Sequence, residues 1–479
     1  MGDSKREPRR TKIICTLGPS TETPERLKSL IDAGMDIARL NFSHGTHAGH
    51  SRAIRLLRRL ALERDRPVAI LQDLQGPKIR TGLLKGGGPV YLRRGTSLVI
   101  TTRPIMGNSE RIATTFAPLP REVKRGDSIL ISDGLIELRV EKVSGQEVMC
   151  RIISGGELGE HQGINLPGIP LKVSALTTKD RRDLRFAIQQ GVDYVAVSFV
   201  RRPQDILQVR SILNRAKSMI HVIAKLEKPE ALEHLDEILE VSDAVMVARG
   251  DLGVEMTPEK VPILQKRIIT RANQQRVPVI TATQMLESMT HHPRPTRAEA
   301  SDVANAIFDG TDAVMLSQET AIGEYPIETV AMMSRIVREA EGSYPAHFVR
   351  RSEGEELSIA ESICRSVARA AQSMNVRAIA VFTQSGSSAR MVSMYRPRVA
   401  VYAFSPFPAI LRRISLYWGV FPRFMKHVAS TDRMIEGAEK KLLQERVVKR
   451  GDIVALVAGT PIARRGTTNL LKLHRVGHA

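Results

Sequence analysis

The residues best suited to chemistry in this 479-residue chain sit just after short apolar runs. Lys225-Leu226-Glu227 closes one such run. In an extended segment the i and i+2 side chains share a face, so an ammonium and a carboxylate point the same way. Asp251 follows the next run, within Arg249-Gly250-Asp251-Leu252-Gly253. Two carboxylates, Glu227 and Asp251, can hold Mg2+ and leave positions for substrate oxygens, as that ion prefers. Lys225 beside them can neutralise charge on a transferring phosphoryl group. A structural ion pair is the plainer reading of any one such pair. Against it, other run ends also carry polar groups: Arg39-Leu40-Asn41-Phe42-Ser43-His44, Asp73-Leu74-Gln75-Gly76-Pro77-Lys78-Ile79-Arg80, Thr281-Ala282-Thr283-Gln284 and Ser317-Gln318-Glu319-Thr320. The Gly250-Asp251 turn offers N–H groups to a carboxylate, although Gly-Asp is also ordinary turn chemistry.

Something must bring those ends together. The apolar runs fall at 12–15, 37–40, 68–72, 194–197, 221–224, 244–247, 279–281 and 313–316, each followed by a helical pattern. Their ends, from Cys15 to Ser317, are spaced by 26, 32, 125, 27, 23, 35 and 34 residues. Setting aside residues 76–171 brings the long gap into line with the others. Thr23-Pro24-Glu25 reads as a helix start, and Thr296-Arg297-Ala298-Glu299 as a capping box. Eight strand–helix units predict an α/β fold, a (β/α)8 TIM barrel whose strand C-termini form the active face. A doubly wound sheet is the alternative, disfavoured because no dinucleotide fingerprint is present. The insert has strand-like segments at 97–101, 128–132, 135–143 and 147–153, split by glycine turns that include Gly155-Gly156. It predicts a small β-barrel lid over the catalytic face. A helix at 358–373 and strands at 378–383, 399–404 and 452–458 predict a C-terminal α/β domain. The expected division is 1–75 with 172–343 for the barrel, 76–171 for the lid and 344–479 for the third domain.

Composition narrows the function classes. Hydrophobic residues at 42% supply ample core, and no stretch approaches the ~20 apolar residues of a membrane span. Three distant cysteines fit neither a disulfide framework nor a zinc site, and the polar N-terminus lacks a signal-peptide core; the expectation is a cytoplasmic protein. The net charge of +20 attracts anions. Because basic residues are dispersed in pairs and aromatics are only 4%, anionic small molecules rather than nucleic acid are the expected partners. His44, His47 and His50 read as an exposed helix face, not a metal site, and no P-loop is present.

These segments resemble the pyruvate kinase family. The resemblance rests on Thr11-Lys12-Ile13-Ile14-Cys15-Thr16-Leu17-Gly18-Pro19-Ser20, Ala38-Arg39-Leu40-Asn41-Phe42-Ser43-His44-Gly45 and Ile223-Ala224-Lys225-Leu226-Glu227-Lys228. It extends through Ala248-Arg249-Gly250-Asp251-Leu252-Gly253-Val254-Glu255 and Ala282-Thr283-Gln284-Met285-Leu286-Glu287-Ser288-Met289, and so covers nearly the whole chain. The resemblance implies phosphoryl transfer from phosphoenolpyruvate to ADP, giving pyruvate and ATP. It implies Mg2+, with Mn2+ as an alternative, on Glu227 and Asp251. Lys225 and Arg39 would contact the phosphoryl group, and Arg80, Asn41 and His44 the nucleotide. Gly250, Asp251 and Thr283 would hold the carboxylate, and Thr283 would help protonate the enolate through water. A homotetramer is also implied.

Three departures from the family pattern carry expectations. Lys78 stands where many members have the Glu that accompanies a K+ requirement, near the positions matching Asn41, Ser43 and Asp73. Its ammonium is expected to replace K+, so that K+ is not required. Gln318 replaces a usual Gly, an expected effect on packing rather than chemistry. The loop Thr383-Gln384-Ser385-Gly386-Ser387-Ser388 resembles the family's effector-phosphate loop, and Arg464 and Arg465 are expected to face it. Hydroxyls and N–H groups in a Gly turn suit a phosphate, so a phosphorylated sugar or AMP activator is expected. Two rivals remain: a Mg2+-dependent barrel lyase acting without nucleotide, and a non-catalytic nucleic-acid or regulatory binding protein motivated by the charge.

Overall fold

A computed structural model describes residues 8–169, 174–343, 357–428, 430–460 and 468–477. Eight parallel strands close into a barrel: Lys12–Thr16, Ile37–Asn41, Ala69–Asp73, Tyr194–Val197, His221–Leu226, Ala244–Ala248, Val279–Ala282 and Ala313–Leu316. They are numbered first to eighth here, and each pairs with its neighbours in chain order. Burial on both faces explains their continuous apolar runs. Alternate residues such as Ile13, Cys15 and Ala38 pack against the outer helices, while Ile14, Ile37, Ala69, Leu71 and Tyr194 fill the interior. The helices begin where the sequence signals them. Thr23 caps Pro24–Ala33 by accepting from Arg26 N at 3.3 Å, and Thr296 and Glu299 form a capping box on Arg297–Phe308.

The insert after the third strand forms a mixed seven-stranded sheet and a two-stranded ribbon. Bridges from Thr81 to Thr114 and from Leu84 to Gly107 bring the sheet's two edges together, so it curls into a small barrel around Leu98, Ile100, Ile129, Leu138 and Cys150. Gly155, expected in a turn, instead marks a close backbone approach. A Cβ there would lie 2.2 Å from Leu92 O.

The C-terminal sheet has five strands, two more than the sequence signalled: Val420–Phe424 and Leu470–Arg475 form its two edges. This domain seals the N-terminal end of the catalytic barrel. Interior barrel residues and C-terminal residues such as Val367, Ile379 and Tyr417 share one apolar core. Arg396 pairs with Asp312 at 2.8 Å, Arg412 with Asp193 at 3.0 Å, and Tyr194 Oη donates to Arg413 O at 2.6 Å. The opposite end of the barrel, beneath the insert, stays open for chemistry.

Candidate active site

At that open end the second, third and fifth strands bring four ionic side chains into one buried cluster, with Ser198 from the end of the fourth beside them. Arg39 donates through Nε to Asp73 Oδ2 at 2.8 Å and through a terminal nitrogen to Thr16 Oγ1 at 2.9 Å. Lys225 Nζ lies 2.7 Å from Glu227 Oε1 and 3.4 Å from Asp73 Oδ1, and donates to Ser198 Oγ at 2.8 Å. Glu227 Oε2 accepts from Phe199 N at 2.8 Å. Burial opposes ionisation of Asp73, but Lys225 and Arg39 outweigh it and hold its carboxyl below the ordinary range. Burial likewise opposes the Lys225 charge, yet Asp73 and Glu227 raise its pKa above that of a free lysine. The Glu227 carboxyl is pushed up by burial and, despite Lys225, by the Asp251 carboxylate.

Asp251 belongs to the first turn of the helix Arg249–Glu255, which begins where the sixth strand ends. Gly250 N donates to Thr283 Oγ1 at 2.7 Å, and that hydroxyl donates to Ala282 O at 2.6 Å. Thus Lys225, Glu227, Asp251, Gly250, Thr283, Arg39 and Asp73 gather at one mouth. Gly76 starts the insert with φ +67°, and a Cβ there would lie 2.8 Å from Phe199. That close approach seats the root of the lid on the segment that follows the fourth strand.

Two cations of that root, Lys78 and Arg80, act electrostatically on the loop after the second strand. His44 is held below the usual imidazole range by burial first, then by Arg80, Lys78 and Arg39. Asn41 Oδ1 accepts from Ser43 N at 3.1 Å, shaping that loop. Arg80 donates to His161 O at 2.8 Å. Lys78 packs against Gly163 and lines the lid–barrel cleft with Asp251, Lys228 and Glu255.

The site tolerates a divalent cation on its own chemistry. Two buried carboxylate oxygens, Glu227 Oε1 and Asp73 Oδ1, lack a hydrogen-bond partner and meet only the Lys225 ammonium. Glu227 also carries unfavourable charge from Asp251, which a cation between them would relieve. Among the described residues no group of three or more His, Cys, Asp or Glu could hold a metal. A two-carboxylate site leaves the other positions to substrate oxygens and water.

Comparison with known proteins decides the family. The family model "Pyruvate kinase, barrel domain" matches residues 8–330, and "Pyruvate kinase, alpha/beta domain" matches 361–474. This chain belongs to the pyruvate kinase family. Pyruvate kinases of Staphylococcus aureus strains MRSA252 and USA300 are each 46% identical over 473 residues, covering 98% of this chain and 81% of theirs. The crystal structure of a pyruvate kinase from Cryptosporidium parvum superposes with a TM-score of 0.91 at 37% identity, covering 98% of this chain and 96% of that one. The chain is therefore a phosphotransferase with a pyruvate kinase fold. No described helix is long and apolar enough to cross a membrane.

Other expected features of a pyruvate kinase lie elsewhere or differ in detail. The loop 383–388 sits in the C-terminal domain. Gly386, at φ +91°, caps the helix Ser387–Met394, and its N–H donates to Thr383 Oγ1 at 2.9 Å. Ser385 and Ser387 hydroxyls are 3.0 Å apart, and Ser388 Oγ meets Thr468 Oγ1 at 2.6 Å. A cavity beside the loop is also lined by Lys426 and His427, which the sequence did not single out because they follow an unrecognised strand. Arg464 and Arg465 lie outside the described residues. The histidines do not share one helix face, because the helix starts at His47. His47 pairs with Asp183 at 2.7 Å, while His50 stacks on Phe42 and bonds His44 O. Gln318 is exposed, so packing does not depend on it. Sequence reasoning also missed Ser198 as the partner of Lys225 and Arg249 as a support for Thr283. Ser198 does stand at a strand end, the signal that marked the others.

Proposed function

We propose that the chain catalyses Mg2+-dependent phosphoryl transfer from phosphoenolpyruvate to ADP at this barrel mouth. The carrying observation is the buried Arg39–Asp73–Lys225–Glu227 cluster, with Asp251 beside it and the Lys78 and Arg80 cations across the cleft. Glu227 and Asp251 would hold Mg2+, or Mn2+, which would supply positive charge to offset that of the substrate oxygens. Lys225 and Arg39 present fixed positive charge to the phosphoryl group in a nearly water-free setting, where such charges act most strongly. The turn at Gly250 and Asp251, with Thr283, receives the carboxylate, the Asp251 N–H at the helix start donating to it while the Gly250 N–H stays on the Thr283 hydroxyl. Thr283 orients the water that delivers a proton to the enolate carbon. Arg80, with Asn41 and His44, contacts the nucleotide as the lid closes.

The finer readings have separate supports. Lys78 replaces a monovalent cation, because its ammonium lines the same cleft as Asp251 and its field reaches His44. The Thr383–Ser388 loop, with Lys426 and His427 beside it, takes a phosphorylated sugar or AMP. The chain divides at 76, 172 and 344 and assembles as a cytoplasmic homotetramer, readings carried by the family likeness. Pyruvate release from phosphoenolpyruvate, assayed with and without ADP and Mg2+, tests the function. Release that needs both supports it; release without ADP would mean that water takes the phosphoryl group, which contradicts a kinase.

A further inference from the structure

Thr283 and Gln284 form an unusual pair, since both have positive φ, +69° and +53°, and neither is glycine. Left-handed backbone is costly for a residue with a Cβ, and most costly for a β-branched one. Such strain persists only where surrounding groups over-determine it. Here the surrounding group is Arg249. Its guanidinium donates to Thr283 O at 2.8 Å and 3.2 Å and to Gln284 O at 3.1 Å. Its remaining nitrogen pairs with Asp302 at 2.6 Å, which fixes the fork from behind. Arg249 is nine-tenths buried and lies next to Gly250, whose N–H meets the Thr283 hydroxyl. Released from the fork, Thr283 would relax towards negative φ and carry its hydroxyl away from Gly250.

We infer that Arg249 is a positioning residue: through its fork on the Thr283 and Gln284 carbonyls it holds the strained turn that aims the Thr283 hydroxyl into the site. This rests on the reading that Thr283 serves the substrate. A planar fork reaching two carbonyls and a carboxylate is a task for arginine, and lysine can meet only part of it.

A double-mutant cycle on the full-length enzyme tests the inference, with R249M, T283A and the double variant assayed for pyruvate formation. R249M is expected to lower kcat roughly tenfold to a hundredfold, the range set by relaxing one strained residue. The KM for ADP should hold within about twofold, since the turn does not contact the nucleotide. R249K should recover part of the loss. Adding R249M to T283A should cost less than about threefold, because the two act as one unit. Losses that multiply, or an R249M enzyme with full kcat, would overturn the inference. Amide exchange of residues 282–286 is read in parallel on R249M, or on R249K if R249M does not fold. Faster exchange than wild type is expected, and unchanged exchange counts against the fork. This readout decides the matter even if the wild type forms no pyruvate, a result that would sink the functional reading alone.

Discussion

At the residue scale the site is a balance of buried charge: Asp73 and Glu227 against Arg39 and Lys225, each held by the others. A buried ion pair adds little net stability, and removing one partner strands the rest. Such a cluster is therefore better explained by its chemistry than by its contribution to folding. The strand-end rule exposed Lys225, Glu227 and Thr283 in the sequence because side-chain alternation and run ends are local properties. The Lys225–Ser198 bond and the Arg249 fork were not legible, since they join segments that only the closed barrel brings together. Lys78 gives this scale its first prediction. In buffer free of K+ and Na+ the wild type should turn over fully, whereas Lys78→Glu should lose about tenfold or more and recover on adding K+. A wild type that itself requires K+ would remove the role given to Lys78.

At the element scale, the barrel strands were readable because burial on both faces makes them uniformly apolar. The two missed C-terminal strands are sheet edges, where Pro422 in one and Lys472, His474 and Arg475 in the other are tolerated. Their sequences consequently read as loop. The N-terminal ends of the barrel strands carry another consequence. His221 opens the fifth strand, edge-on to Tyr194, and burial outweighs Asp243 to hold its imidazole down at about 4. Its native pKa lies below its unfolded value of ~6.5. The neutral form is therefore favoured by folding, and this stability is complete above pH ~6.5 and is lost as pH falls towards 4. Melting temperature should drop over that window, and His221→Gln should flatten the drop. An unchanged slope in the variant would contradict the assignment.

At the scale of the whole molecule, the C-terminal domain shares a core with the barrel interior and is pinned to it by Arg396–Asp312 and Arg412–Asp193. Asp312 is fully buried and its carboxyl is pushed up by burial, against the pull of Arg396. Arg396→Met should thus cost about 3–5 kcal/mol in urea unfolding, as expected when a buried charge loses its partner. A loss below about 1 kcal/mol would show that the seam depends on the shared apolar core instead. The net charge of +20 belongs to this scale as well, and it suits a surface that attracts phosphorylated metabolites. The central claim is that the Lys225 cluster transfers a phosphoryl group to ADP. The most direct measurement is pyruvate and ATP formed from phosphoenolpyruvate, ADP and Mg2+ by wild type and by folded Lys225→Met. The account predicts equal amounts of the two products from wild type and a rate about 10²–10³ lower in the variant. Pyruvate without ATP, or a variant as fast as wild type, would contradict it.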